Sequence, residues 1–190
     1  MLRVLVFALA LLAVPGIART GVGDPDMHAI AAVLRPGQYH WQETLAAPGT
    51  SLVVSLALQR LYVYRGGALV GVASVSTGKR GKSTPPGDFP ILQKARFHRS
   101  NLYSNAPMPF MQRLTWDGIA LHAGHNPGLP ASHGCIRLPF AFARDLFGMT
   151  SLGTQVTVAD YPLQAPVWLE VEFADHDVEP RLIYAREVFR

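Results

Sequence analysis

The chain has a single cysteine in 190 residues, so no internal disulfide can staple the fold. Charged residues make up only 16% of it, without a Lys/Arg run or a basic helix, which argues against nucleic acid as a partner. No glycine-rich loop has the spacing that cradles a nucleotide. The nearest approach, Thr77 to Gly87, lacks the required glycine and Lys-Ser/Thr positions. Internal repeats and low-complexity tracts are also missing.

Long hydrophobic runs are equally scarce. Arg3, the apolar run Val4 to Val14 and the small-residue stretch Gly16-Ile17-Ala18 read as a signal peptide over 1–18, cleaved near Ala18. The run is too short to span a bilayer comfortably as a helix. No cysteine follows it, which excludes a lipid-modified N-terminal cysteine. Export to the periplasm or cell envelope is therefore expected. Cleavage removes Arg3 and lowers the net charge from +4 to +3. A modest positive balance outside the cytoplasm suits an anionic polymer or a membrane surface. Roughly 170 residues remain, enough for one domain with a sizeable core.

What the chain does have is a polar crowd around its one thiol: Ala131-Ser132-His133-Gly134-Cys135-Ile136-Arg137-Leu138, with His122 and His125 upstream. A lone cysteine is more often a small buried apolar residue. Here a glycine that lets the backbone turn, a flanking histidine and a following arginine point to use. An unpaired thiol in an oxidising compartment is a liability unless buried or employed. The thiolate is the nucleophile, and a nearby imidazole can generate it near neutral pH.

Along the chain, residues 19–50 read as an N-terminal arm, with a helix over Met27 to Leu34, a turn at Arg35-Pro36-Gly37, and Tyr39-His40-Trp41. Ser51 to Leu58, Leu61 to Tyr64 and Leu69 to Ser76 are strand candidates, the last two joined by Gly66-Gly67. The cationic Thr77 to Gly87 segment is a loop, either solvated or facing substrate. Asp88 to Lys94 resumes a strand. Phe97 to Met111 is irregular and carries His98, Tyr103 and the Met108-Pro109-Phe110-Met111 cluster. A hairpin follows, Gln112 to Trp116 and Ile119 to Ala123 about Asp117-Gly118, with His122 facing away from Leu121 and Ala123. Pro139 sits where a first helical residue would, and Phe140, Ala143, Leu146 and Phe147 fall at helical spacing in a helix ended by Gly148 or Gly153. Gln155 to Ala159 is a strand, and the extension 161–190 holds one more candidate, Val167 to Phe173.

His122, a loop of about a dozen residues, and then Ser132-His133-Gly134-Cys135-Ile136-Arg137-Leu138 resemble the signature of the L,D-transpeptidase catalytic domain family. Ser76-Thr77-Gly78-Lys79, Thr84-Pro85-Pro86-Gly87-Asp88-Phe89, Met108-Pro109-Phe110 and Gly153-Thr154-Gln155-Val156 support it. The resemblance covers Ser51 to Ala159, so residues 51–160 are expected to form the catalytic domain. It implies a mainly β, sandwich-like fold with one or two short helices, and two curved sheets around a cysteine site. The implied reaction is on peptidoglycan stem peptides. Cys135 attacks the carbonyl between diaminopimelate and D-alanine, D-alanine leaves, and the acyl group passes to an amine. A wall-linked protein amine is one possible acceptor class, and a monomer is expected.

On that pattern Cys135 is the nucleophile and His122 the base, its tautomer fixed by the carbonyl of Ala123. Backbone amides around His133, Gly134 and Cys135 would hold the oxyanion. Were the segment extended, His133 would lie two positions from Cys135, about 6.6 Å away and too far to act as its base. Ser132, Ala123, Met108 and Tyr103 are candidate substrate contacts. Arg137 either pairs with a substrate carboxylate or forms a structural salt bridge. His125 has no matched role. No metal and no cofactor is implied. Hydrolysis by the same site, as an L,D-carboxypeptidase or amidase, is an alternative, and a non-catalytic wall-binding module is another.

Overall fold

The computed structural model describes residues 26–42 and 48–161; the signal peptide expected over 1–18 and the Val167 to Phe173 strand candidate lie outside them. Among the described residues ten strands form two mixed sheets, accompanied by two helices. The first has six strands, in the order β1 (Tyr39–Trp41), β4 (Ala68–Ser74), β3 (Arg60–Arg65), β2 (Thr50–Ser55), β10 (Gln155–Ala159) and β5 (Gly87–Pro90). The second has four: β6 (Gln93–Ala95), β7 (Met111–Arg113), β8 (Ala120–Ala123) and β9 (Ile136–Leu138). Only β2 with β10 and β8 with β9 run parallel.

The core fills the space between the sheets. Leu52, Val54, Leu61, Val63, Val156 and Val158 of the larger sheet meet Leu121, Ala123, Ile136 and Leu138 of the smaller one. Helix α2 (Phe140–Met149) is packed among them through Phe142, Ala143 and Leu146, each fully buried. On the outer face of the larger sheet, α1 (Met27–Val33) sets Met27 and Ala31 against Tyr62 and Val72. Strand alternation sorts Leu61 and Val63 inward and Tyr62 and Tyr64 outward. A register shift opposite Val63/Tyr64 lets Leu69 and Val72 of β4 both face outward.

The N-terminal arm does more than cover the core, for Tyr39–Trp41 adds an edge strand beside β4. Trp41 stacks on Phe142 with centroids 4.5 Å apart and lies where a Cβ on Gly71 would sit, so that position accepts only glycine. Asp88 to Lys94 is not one strand. Pro90 ends β5, Ile91 plunges into the core, and the Leu92 amide bonds Arg113 of the other sheet at 2.8 Å. The hairpin strand expected over Gln112 to Trp116 is shorter, because the turn already begins where the Thr115 carbonyl accepts from Gly118.

Gly148 does not end α2. The helix runs to Met149, where the Thr150 amide and hydroxyl both donate to the Leu146 carbonyl. Lys94 Nζ from β6 supplies donors to the Phe147 and Thr150 carbonyls at 2.6 and 2.5 Å. Those bonds satisfy the exposed end of the helix, so a mid-turn glycine is tolerated. Gly153, at φ +83°, serves the next turn instead.

Candidate active site

Strand β8 is buried along its whole length, whereas the sequence suggested one core face and one open face. Leu121 and Ala123 enter the core, and Ala120 packs on the other side with Met108, Met111 and Cys135. His122 shares that second side and is only 7% exposed. The second face is therefore the floor of a cleft rather than a solvated surface. A cavity of about 650 Å3 opens over it, lined by Cys135, His122, Arg137, Arg113, His98 and Tyr103 among others. Among the described residues no Asp or Glu lines it.

The segment before β9 is a turn, not an extended strand. Ser132 Oγ donates to the Cys135 carbonyl at 2.5 Å and accepts from the Gly134 amide at 3.0 Å. Gly134 sits at φ +120°, and a Cβ there would come within 2.6 Å of Ile119 Cδ1. From behind, Thr84 Oγ1 donates to the Gly134 carbonyl at 2.7 Å and accepts from the Gly78 amide at 2.9 Å. The Thr77 carbonyl accepts from the amides of Ala131 and Ser132. Loop 77–84 is thus a clamp on the cysteine turn.

Two expectations change with this geometry. The Gly134 amide is held by Ser132, so Gly134 shapes the turn instead of offering its N–H to an oxyanion. Ser132 borders the cavity, but its hydroxyl is spent inside the turn and its side chain is fully buried. Lys79, Arg80 and Lys82 of the cationic loop, which the sequence left either solvated or facing substrate, do not line the cavity.

His122 Nδ1 lies 2.8 Å from the Ala123 carbonyl. A carbonyl only accepts, so Nδ1 carries the proton and Nε2 is left with a lone pair. Burial is the largest influence on the imidazole and pushes its pKa below the ordinary value; the Ala123 bond opposes this, and Arg137 and His98 add to it. Cys135 moves the opposite way. Burial raises its pKa, while a hydrogen bond from Ala120 and the charges of Arg137 and Arg113 pull it down. Its Sγ donates to the Gly118 carbonyl at 3.4 Å, and no hydrogen bond joins it to His122. Burial thus favours the neutral form of both groups, and His122 Nε2 presents a lone pair.

His133 is exposed and stacks on Tyr103 with centroids 4.7 Å apart. Tyr103 belongs to the 97–110 segment, whose irregular course is closed by Ser100 N–H to Ala106 and Met108 N–H to His98 carbonyl bonds. That segment roofs the cleft, and the His133–Tyr103 stack spans its opening. Met108 is buried under the roof with Met111 and also borders the cavity. His125 is exposed and borders the cavity. Arg137 pairs with His122 in register, and its stem packs over Gly124. Among the described residues it has no salt bridge, the one ion pair being Arg144–Asp145.

Arg113 was not named from sequence, and His98, Gly118 and Thr84 were given no role at the site there, only places in an irregular segment, a turn and a supporting motif. The Asp117-Gly118 hairpin held the signal for Arg113, because its register sets Arg113 opposite Ala120, two residues from His122.

Two mixed sheets with a cysteine turn and a buried imidazole over one cleft define the class. The chain belongs to the L,D-transpeptidase catalytic domain (YkuD) family, whose model matches residues 49–158. Solved structures agree. An L,D-transpeptidase of Stackebrandtia nassauensis is 29% identical, with TM-score 0.55, over 64% of this chain and 60% of that one. One of Xylanimonas cellulosilytica is 25% identical, with TM-score 0.55, over 61% and 63%. One of Mycobacterium tuberculosis, 22% identical with TM-score 0.57 over 60% and 58%, shares the fold. The chain spans less than two thirds of each of these proteins. No curated protein matches it.

Proposed function

We propose that the chain is a peptidoglycan L,D-transpeptidase, exported by its 1–18 segment and acting in the periplasm or cell envelope through a Cys135 acyl-enzyme. The observation that carries this reading is the shared cleft: a thiol and an imidazole of fixed tautomer, with two arginines and no carboxylate among the described residues that line it. A stem peptide ending in D-alanine is anionic and fits such a lining.

In the first half-reaction His122 Nε2 takes the Cys135 proton as sulfur bonds to the diaminopimelate carbonyl carbon. The carbon–nitrogen bond to D-alanine then breaks, and the imidazolium returns the proton to the leaving amine. In the second half, an acceptor amine attacks the thioester, loses a proton to His122, and expels the thiolate, which the His122 imidazolium reprotonates. Two modest barriers replace one large one. With the Gly134 amide committed to Ser132, the oxyanion is assigned to the amides of His133 and Cys135. Arg137, free of any chain carboxylate among the described residues, takes the terminal carboxylate of the leaving D-alanine.

The test is incubation of the purified chain lacking 1–18 with a disaccharide-tetrapeptide, followed by mass analysis. Cross-linked dimers establish transfer; tripeptides alone establish the carboxylate-forming hydrolysis; an unchanged tetrapeptide overturns the reading.

A further inference from the structure

On the cleft side of the four-stranded sheet the side chains stand in two rows. Antiparallel pairing sets Arg113 opposite Ala120, and parallel pairing of Leu121 with Ile136 brings Cys135 level with Ala120. Arg113, Ala120 and Cys135 thus share one row. Two residues further, about 6.8 Å along the strands, His122 and Arg137 share the next. Strand alternation makes both rows rise from the same face, and all five residues line the cavity.

Arg113 is held in place within its row. Its Nε donates to Gln93 Oε1 at 2.9 Å, and its guanidinium carbon lies 5.9 Å from the centre of the Trp116 ring. Like Arg137 it acts electrostatically on Cys135, and like Arg137 it has no ion-pair partner among the described residues. The thiol is therefore bracketed by two guanidinium groups, one on its own row and one on the row of His122.

We propose that Arg113 is a specificity-determining residue that binds a carboxylate carried by the acyl-donor residue itself, on the side of the thiol away from the leaving group. The proposal rests on the transpeptidase reading. The leaving amine takes its proton from His122, so the leaving residue lies over the His122–Arg137 row. The acyl residue must then extend from the reacting carbonyl to the Arg113 side. A diaminopimelate acyl residue carries a second carboxylate at the far end of its side chain. A planar guanidinium fork, fixed through Nε by Gln93, presents its remaining N–H groups to such a carboxylate bidentately. Arg137 alone would recognise any C-terminal D-amino acid. Arg113 makes the site select a donor with two carboxylates, one on each side of the scissile bond.

The test uses two disaccharide-tetrapeptide donors, one with the side-chain carboxylate of diaminopimelate free and one with it amidated. The wild-type chain, Arg113→Gln and Arg113→Lys are compared by kcat/KM, with circular dichroism and thermal melting confirming that each is folded. The wild type should prefer the free donor by about tenfold to a hundredfold, the range expected for a charge-assisted pair. Arg113→Gln should bring that ratio close to one, and Arg113→Lys should keep part of the preference, which a merely structural arginine would not. An Arg113→Gln ratio equal to the wild type's overturns the proposal, as does a wild type that converts both donors equally well while the transpeptidase reading stands. A wild type that converts neither donor overturns both.

Discussion

In the larger sheet, β2, β3 and β4 run six or seven residues and both faces are covered, one by the core with α2 and the other by α1. In the smaller sheet no strand exceeds four residues, and the face away from the core forms the cleft floor. Long ladders with two covered faces fix a scaffold. Short strands end close to the chemistry, so Gly118, Gly124 and Cys135 all lie at strand ends that border the cavity. At the turn before β9 the backbone of Gly134 and Cys135 is held by side chains, Ser132 and Thr84. Damage to the scaffold should therefore appear as lost stability, and damage to the cleft face as lost activity.

The sharpest separation comes from His122→Ala. It should lower kcat/KM by about 10²- to 10⁴-fold, the usual contribution of a positioned acid–base, while the urea midpoint at pH 7.5 moves little. A variant with full activity would break the division at its strongest point. On the scaffold side, Phe142→Ala removes a fully buried ring stacked on Trp41. It should cost about 3–5 kcal/mol of unfolding free energy, and the protein that remains folded should keep kcat within a few-fold. A loss under about 1 kcal/mol would mean that the core is not centred on α2.

Gly134→Ala blurs the boundary on purpose. The positive φ and the contact with Ile119 should cost about 1–3 kcal/mol, and the displaced turn should also lower the rate of Cys135 alkylation by iodoacetamide. Stability that falls with alkylation unchanged would show that the turn does not position the thiol.

Proton linkage gives a subtler contrast. His122 has a lowered folded pKa, so its contribution to stability is present above about pH 6.5 and is lost as pH falls below it. Cys135 has a raised folded pKa, so its contribution holds below about pH 8.5 and is lost as pH rises. Urea midpoints measured at pH 7.5 and 5.5 should drop more for the wild type than for His122→Ala. Equal drops would mean that the imidazole is not desolvated. The smallest effect expected is from neutralising Lys79, Arg80 and Lys82 together, which lie on the clamp loop outside the cavity lining. Any loss in kcat/KM should stay within about threefold and vanish at high salt.

The sequence was most readable where local chemistry and pattern agree. α1, the Gly66-Gly67 hairpin, α2 and β10 follow from capping, turn residues and periodicity, and the cysteine motif points at the cleft. Less readable was whatever depends on distant partners. Nothing local shows that Tyr39–Trp41 joins a sheet whose Gly71 makes room for an indole, or that Lys94 caps a helix more than fifty residues away. Asp88 to Lys94 reads as one strand because its apolar pattern continues across the corner where the chain changes sheets. The same limit applied to the site. His122 and Cys135 are marked by their residue types, but the second burying face of β8 comes from the 97–110 roof, which has no periodicity to announce it.

The account turns on whether Cys135, on the face of the smaller sheet, carries the acyl group. Intact-protein mass spectrometry after brief exposure to a carbapenem, whose strained ring offers the same kind of carbonyl, measures this directly. The wild type should gain the mass of one adduct and Cys135→Ala none, with peptide mapping placing the adduct on the 132–138 segment. An adduct that persists in Cys135→Ala, or that maps elsewhere, would contradict it.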